Sequence, residues 1–225
     1  MADYVSASKG DESLSLKITE IFYSLQGETR TVGLPTVFVR LTGCPLRCQY
    51  CDSAYAFYGG KRYSLEEILT QVLSYKPRYV TVTGGEPLAQ PASLDLLKLL
   101  CDQELEVSLE TSGAIDVSEV DIRVVKILDL KTPGSLEEKR NLYSNLDHLN
   151  QADQVKFVIC DRNDYEWSKE IIERYQLPAK CEVLFSPSFQ QISNQELAEW
   201  IIADNLPVRF QLQMHKYIWG DIPGK

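Results

Sequence analysis

An α/β protein, a full or partial (βα) barrel of about six or seven strands, is the architecture to expect from three features of the chain. Beyond residue 60, β-branched and aliphatic runs alternate with stretches of helical apolar spacing, the order that parallel strands and right-handed crossovers produce. Polar clusters at 40 to 53, 83 to 87, 110 to 113, 129 to 132 and 186 to 189 all fall where a strand should end, the edge at which barrels gather functional groups. With 225 residues and 44% hydrophobic content, the chain can bury one full-sized core. There are no repeats and no low-complexity linker. A single domain over residues 16–225 is therefore expected, preceded by a polar N-terminus, 1–15, that should be disordered.

Ser15 to Tyr23 alternates apolar and polar residues and predicts a strand, followed by the loop Ser24-Leu-Gln-Gly-Glu28 and a turn at Gly33 and Pro35. Thr36 to Leu41 is a β-branched run that leads into a cysteine-rich loop, with Phe38, Arg40 and Thr42 on one face by period-two alternation. Arg40 is either a solvated outer residue or, if that face looks inward, a fork suited to a carboxylate ligand. After a Gly59-Gly60 break, Ser64-Leu-Glu-Glu67 is a capping box that opens a helix to about Tyr75. Tyr79 to Thr83 reads as a strand ending in Gly84-Gly-Glu-Pro87, and Leu94 to Leu100 reads as a helix. Glu106 to Glu110 is a strand ending at Thr111-Ser-Gly113, and Val124 to Lys131 is another with Asp129 and Lys131 near its end. A helix is expected around Ser135 to Leu146, a strand over Gln154 to Cys160, and a helix over Asn163 to Tyr175. Cys181 to Phe185 then runs into Ser186-Pro187, a second capping box at Ser193 to Glu196 opens a helix to about Ala203, and Val208 to Met214 closes the series.

A formal charge of −9 works against binding a phosphate backbone and favours a free small-molecule substrate over RNA or DNA. No window approaches a membrane span, and the polar start lacks the apolar core of a secretory signal. A cytoplasmic location follows, in which the six cysteines should remain thiols or ligate metal.

Cys44, Cys48 and Cys51 stand at CxxxCxxC spacing in one loop and can hold one compact metal centre. Soft thiolates select zinc or iron-sulfur clusters, and the loop offers no fourth ligand to close a structural zinc site. A cubane 4Fe-4S cluster held by three cysteines keeps one iron open to a small molecule. Cys101, Cys160 and Cys181 lie in apolar runs and read as buried small hydrophobes. Gly84-Gly85 is either a tight turn or a place where backbone groups approach a ligand, with Glu86 available to accept from an ammonium.

CxxxCxxC after an early strand, Tyr50 before the third cysteine, and Gly-Gly-Glu-Pro after the next strand resemble the radical S-adenosylmethionine superfamily. More narrowly, Ser24 to Glu28, Arg40 to Pro45, Cys51-Asp-Ser53, Thr83 to Pro87, Glu110 to Gly113 and Leu212 to Tyr217 are similar to the 7-carboxy-7-deazaguanine synthase family, from about Ile18 to Pro223. The resemblance implies a partial barrel of the radical S-adenosylmethionine type. It also implies a 4Fe-4S cluster that reductively cleaves S-adenosylmethionine, giving a 5′-deoxyadenosyl radical that takes hydrogen from carbon 6 of 6-carboxy-5,6,7,8-tetrahydropterin. Ring contraction with loss of ammonia gives 7-carboxy-7-deazaguanine, a precursor of queuosine and other deazapurines.

By the same resemblance, Leu25, Gln26, Gly27, Glu28, Arg40 and Thr83 would hold the pterin, with Pro223 a further contact. Tyr50, Cys51, Asp52, Gly85, Glu86, Glu110, Asp129, Leu130, Lys131, Ser186 and Pro187 would line the S-adenosylmethionine site, and Ser53 would ligate magnesium. This chain has Asp129-Leu-Lys131 where many members have Ser-Pro-Lys, Ser53 where many have Thr, and a tail that continues to Lys225 where some relatives stop. His215 reads as a structural hydrogen-bonding residue, because radical chemistry demands no acid or base of that type. A homodimer and an external one-electron reductant such as flavodoxin or ferredoxin are also implied. Two other readings stay open: a glycyl-radical-type activating enzyme acting on a protein partner, and a non-enzymatic iron-sulfur or zinc module.

Overall fold

A computed structural model describes residues 14–220 and 222–224. Among the described residues nine strands form one sheet: β1 (Ser15–Leu25), β2 (Pro35–Leu41), β3 (Lys61–Ser64), β4 (Tyr79–Gly84), β5 (Glu106–Thr111), β6 (Val125–Leu130), β7 (Gln154–Ile159), β8 (Glu182–Pro187) and β9 (Arg209–Phe210). Their order is β3-β1-β2-β4-β5-β6-β7-β8-β9, parallel from β2 to β9. The sheet ends on β3 and β9, so the barrel is incomplete. Six α-helices among the described residues accompany it: α1 (Leu65–Ser74), α2 (Ser93–Cys101), α3 (Arg162–Tyr175), α4 (Leu177–Lys180), α5 (Asn194–Ala203) and α6 (Met214–Ile218).

Alternation along the strands sends one set of side chains to the helix-covered core and the other to the barrel interior. Val37, Val39, Val80, Val82, Leu109, Leu128, Val155 and Phe157 join the buried apolar cluster with Ile68 and Val72 of α1 and Leu96, Leu97 and Leu100 of α2. The capping box of α1 is reciprocal: Ser64 Oγ accepts from Glu67 N–H at 3.2 Å and the Glu67 carboxylate accepts from Ser64 N–H at 2.7 Å. Ser193 Oγ caps α5 by accepting from Glu196 N–H at 3.1 Å.

Four expectations need correction. β1 runs antiparallel to β2 instead of joining a parallel series. Residues 26–34 are too few for a crossover, and the pair Gln26 N→Leu34 O (2.9 Å) and Gly33 N→Gln26 O (2.8 Å) closes them as a hairpin loop. The short strand β3, antiparallel to β1, was hidden behind the Gly59-Gly60 break. The helix expected over 135–146 is replaced by short 3-10 turns, with Leu136 in the left-handed region at φ 65°. Its polar side chains are committed elsewhere: Asn141 brackets Lys131, donating to its carbonyl and accepting from its amide, both at 2.8 Å, and Asn145 Nδ2 donates to the carbonyls of Gly113 (3.1 Å) and Ile115 (2.8 Å). Such side chains compete with a helix for backbone partners. The closing strand shrinks to β9 because Gln211 turns away, donating from Nε2 to Gly27 O at 3.1 Å, and Met214 begins α6.

The disorder expected for residues 1–15 falls almost wholly outside the described residues; Ser15 already belongs to β1. No helix among the described residues is long and apolar enough to cross a membrane.

Candidate active site

The inward side chains of β1, β2 and β4 to β7, together with the cysteine loop and the C-terminal segment, enclose a cavity of about 550 Å³. One cavity lined by six strands requires that the sheet curl around it. The inner wall mixes charged and polar side chains with apolar ones such as Phe22, Phe38 and Ile127, unlike the core on the other side of the same strands.

Cys44, Cys48 and Cys51 are half-buried and line one side of this cavity. Their loop is fixed at both ends: Gly43 N–H donates to Ala56 O at 2.8 Å and Gln49 N–H to Ser135 O at 3.2 Å. Burial pushes the Cys44 thiol up and Cys48 to about 11, against the pull of the Lys131 ammonium. Bare thiolates at Cys44 and Cys48 are thus disfavoured, and a bound metal centre is what would keep these two ionised. The glycines of Gly84-Gly85 serve this packing first. A Cβ on Gly85 would lie 2.1 Å from Gly43 O and 3.0 Å from Cys44 Cβ, while Gly84 has φ +144° and a Cβ there would sit 2.3 Å from Leu41 O. Only glycines let the cysteine loop lie against the end of β4.

Beside the thiols, Tyr50 and Asp129 face the same space. The Tyr50 hydroxyl is buried without a hydrogen-bond partner among the described residues, and Asp129 Oδ1 is met by the Lys131 ammonium at 3.0 Å. Buried polar atoms are almost always satisfied, so this corner suits a ligand bearing hydroxyl or amino groups. Three cysteines, a glycine-lined edge and an unsatisfied polar atom together fit a three-cysteine cluster with a polar cofactor next to it.

Across the cavity, Gln26 Nε2 donates to Glu110 Oε1 at 3.2 Å and Thr83 Oγ1 to Glu110 Oε2 at 2.8 Å. Glu28 is ion-paired to Lys156 and lies 3.5 Å from His215 Nδ1. Burial alone would raise the Glu28 carboxyl, but the Lys156 ammonium and then His215 outweigh it and hold it at about 2. Glu110, without a cation in contact, is pushed above the usual carboxylate range by burial and then by Glu28. Arg40 also faces inward, which excludes the outer-residue reading. Its Nε donates to Glu20 Oε1 at 2.8 Å and its guanidinium lies between the Phe22 and Tyr55 rings, 5.7 and 5.8 Å from their centroids.

Of the residues singled out from sequence, Leu25 to Glu28, Arg40, the three cysteines, Tyr50, Asp52, Ser53, Thr83, Gly85, Glu110, Asp129, Lys131 and Pro223 all line the cavity. Glu86 does not. Its buried carboxylate is consumed by Leu88 N–H (3.0 Å), Thr111 Oγ1 (2.9 Å), Ser112 N–H (2.7 Å) and Ser112 Oγ (2.5 Å), clasping the ends of β4 and β5. Leu130 alternates to the apolar core. Ser186 and Pro187 belong to β8, which runs two residues further than expected, so Ser188 and Phe189 reach the cavity instead. Glu110 groups with Gln26 and Thr83, away from the set to which it was assigned.

Sequence reasoning missed Lys156, Gln213, Lys216, Tyr55 and Phe22, all lining the cavity. A lone lysine inside the apolar run of β7 was a usable signal for Lys156. The C-terminal contributors lie in the Leu212 to Tyr217 motif, but no role was assigned to them because they act from a segment folded over the opening: Gln213 Nε2 donates to Asp52 Oδ2 at 3.0 Å and Lys216 pairs with Asp52 at 3.3 Å. Gly27 admits this segment; a Cβ on it would meet His215 Nδ1 at 3.2 Å.

Comparison with known proteins agrees with this arrangement. Residues 38–176 match the Radical SAM superfamily model. The 7-carboxy-7-deazaguanine synthase of Chlorobaculum tepidum is 44% identical over 208 residues, 91% of this chain and 94% of that protein. The chain belongs to the 7-carboxy-7-deazaguanine synthase family. The synthase of Koribacter versatilis is 42% identical over 219 residues, covering 91% of this chain and 97% of its own. Among solved structures, QueE from Escherichia coli superposes with a TM-score of 0.73 at 23% identity, covering 90% of this chain and 98% of that one, which supports the fold. As a radical S-adenosylmethionine enzyme, the chain uses a 4Fe-4S cluster and S-adenosylmethionine. Cys44, Cys48 and Cys51 lie together on the wall of the cavity.

Proposed function

We propose that this enzyme converts 6-carboxy-5,6,7,8-tetrahydropterin to 7-carboxy-7-deazaguanine with loss of ammonia, assisted by magnesium, for queuosine or another deazapurine. The observation that carries the reading is the division of one cavity into a thiol side and a carboxylate-and-guanidinium side. When bound, the cluster and S-adenosylmethionine supply the radical that removes hydrogen from carbon 6.

The chain's own residues bind and orient. Among the described residues nothing occupies the Nη edge of Arg40, which leaves a planar fork matched to the two oxygens of the substrate carboxylate. Glu110 and Gln26 face the aminopyrimidinone ring with a carboxylate acceptor and an amide, the pairing that a ring edge rich in N–H donors requires. Lys156 keeps Glu28 ionised, while Tyr50, Asp129 and Lys131 line the cofactor's corner. Ser53 would hold the magnesium through its hydroxyl, and the ion would supply orientation and Lewis-acid stabilisation of developing negative charge. Ligand atoms of Glu28, Asp52 and His215 lie within 4.8 Å of one another, but Lys156 and Lys216 already neutralise the two carboxylates, so Ser53 remains the assignment. The family resemblance supports a homodimer served by a flavodoxin- or ferredoxin-like donor.

The test is anaerobic turnover of reconstituted protein with S-adenosylmethionine, dithionite, magnesium and the carboxytetrahydropterin, read by mass spectrometry. The expected result is 7-carboxy-7-deazaguanine. Hydrogen abstraction from a polypeptide with the pterin untouched would instead support the activating-enzyme reading.

A further inference from the structure

Glu20 lies outside the cavity wall, and neither the sequence motifs nor the proposed chemistry gives it a task. It stands directly across from Arg40 in the β1–β2 ladder, next to a register irregularity between Ile18 and Glu20. Bulges of this kind re-aim a side chain. A single oxygen, Glu20 Oε1, accepts from Arg40 Nε at 2.8 Å and from the Tyr55 hydroxyl at 2.8 Å. The next pair on the same face of the ladder, Phe22 and Phe38, stacks at 5.0 Å and 10°, and Phe22 and Tyr55 flank the guanidinium. Arg40 is thus held by one hydrogen bond and two rings. Its Nη1 and Nη2 have no hydrogen-bond partner among the described residues.

We infer that Glu20 is a positioning residue for specificity. By occupying Nε it leaves Arg40 only the end-on Nη1/Nη2 pair, aimed into the cavity, and so selects a carboxylated pterin over one without the carboxylate. This rests on the pterin reading above. An arginine free at Nε could meet a carboxylate side-on or swing along the wall, and side-chain freedom lost beforehand is not lost again on binding. Tyr55 follows the cysteine loop, so the same oxygen also ties the substrate side to the cluster side.

The experiment measures anaerobic equilibrium binding of two probes to cluster-replete protein: 6-carboxytetrahydropterin and tetrahydropterin lacking the 6-carboxylate. Wild type should prefer the carboxylated probe by at least about ten-fold. Glu20→Ala should lose most of that preference, weakening the carboxylated probe by about ten-fold while moving the other little. Glu20→Gln keeps an oxygen acceptor for Arg40 Nε and should hold the preference within about three-fold of wild type. Iron content and S-adenosylmethionine affinity should stay as in wild type for both variants. Tighter carboxylate binding by Glu20→Ala would mean that Glu20 competes with substrate, and equal weakening of both probes would mean a general wall defect; either overturns the inference alone. A wild type that binds neither probe overturns the pterin reading and the inference with it.

Discussion

Replacing Lys156 with Met removes the cation that three cavity carboxylates share. Glu28 is in direct contact with it, Asp129 lies 4.0 Å away, and the Glu110 carboxylate adds to the same field. Breaking a buried pair by deleting one partner costs roughly 3–5 kcal/mol. The Glu28 side chain is 21% exposed and retains Gln213 and His215 as neighbours, so the lower end, about 3 kcal/mol, applies. For a domain of this size that is a fall in Tm of about 6–12 °C.

The sign with pH follows from Glu28, whose folded-state value of about 2 lies below its ordinary 4.5. Its contribution is complete above 4.5 and is lost as pH falls toward 2. The gap between wild type and Lys156→Met should therefore narrow as pH drops through that window. Thermal unfolding followed by circular dichroism under anaerobic conditions measures both effects. Lys156→Met combined with Glu28→Gln should recover at least about half of the loss, because no unpaired charge then remains on that residue. A single variant within about 2 °C of wild type at pH 7, or a double variant no better than the single, would refute the shared-cation argument.

Three further outcomes follow from the site. Alanine at Cys44, Cys48 or Cys51 should abolish iron binding on reconstitution, whereas Cys101→Ala, remote in α2, should keep it; equal iron loss from both would show the ligands misassigned. Arg40→Lys should weaken pterin binding by about ten- to a hundred-fold in folded, cluster-replete protein, and an unchanged affinity would remove Arg40 from the substrate site. Ser53→Ala should blunt magnesium stimulation of turnover while Ser53→Thr keeps it, and undiminished stimulation in the alanine variant would place the ion elsewhere.

What could be read from the sequence divides along chain distance. The three cysteines, the Gly-Gly-Glu-Pro turn and the parallel series are local patterns, and each stands where its spacing or period indicated. Glu28 and Lys156 are 128 positions apart, and no local pattern pairs them; only the curl of the sheet does. Glu86 misled because an acid after two glycines looks like a ligand, while its partners Thr111 and Ser112 lie on the next strand. Leu130 could have been placed by alternation, since Asp129 and Lys131 flank it on the other face. The stretch 135–146 has helical apolar spacing, but its asparagines brace neighbouring loops, and that competition shows only after folding.

The central claim is that one cavity brings a three-cysteine radical centre to carbon 6 of a carboxylated pterin. Isotope transfer tests it most directly. With pterin deuterated at carbon 6, S-adenosylmethionine and reductant, anaerobic turnover should move deuterium to the 5′ carbon of the adenosyl group. Because the pterin has the same atoms as 7-carboxy-7-deazaguanine plus ammonia, one hydrogen is then returned, so label should appear in the adenosyl products and in 7-carboxy-7-deazaguanine. Unlabelled 5′-deoxyadenosine with the pterin recovered unchanged would contradict the account.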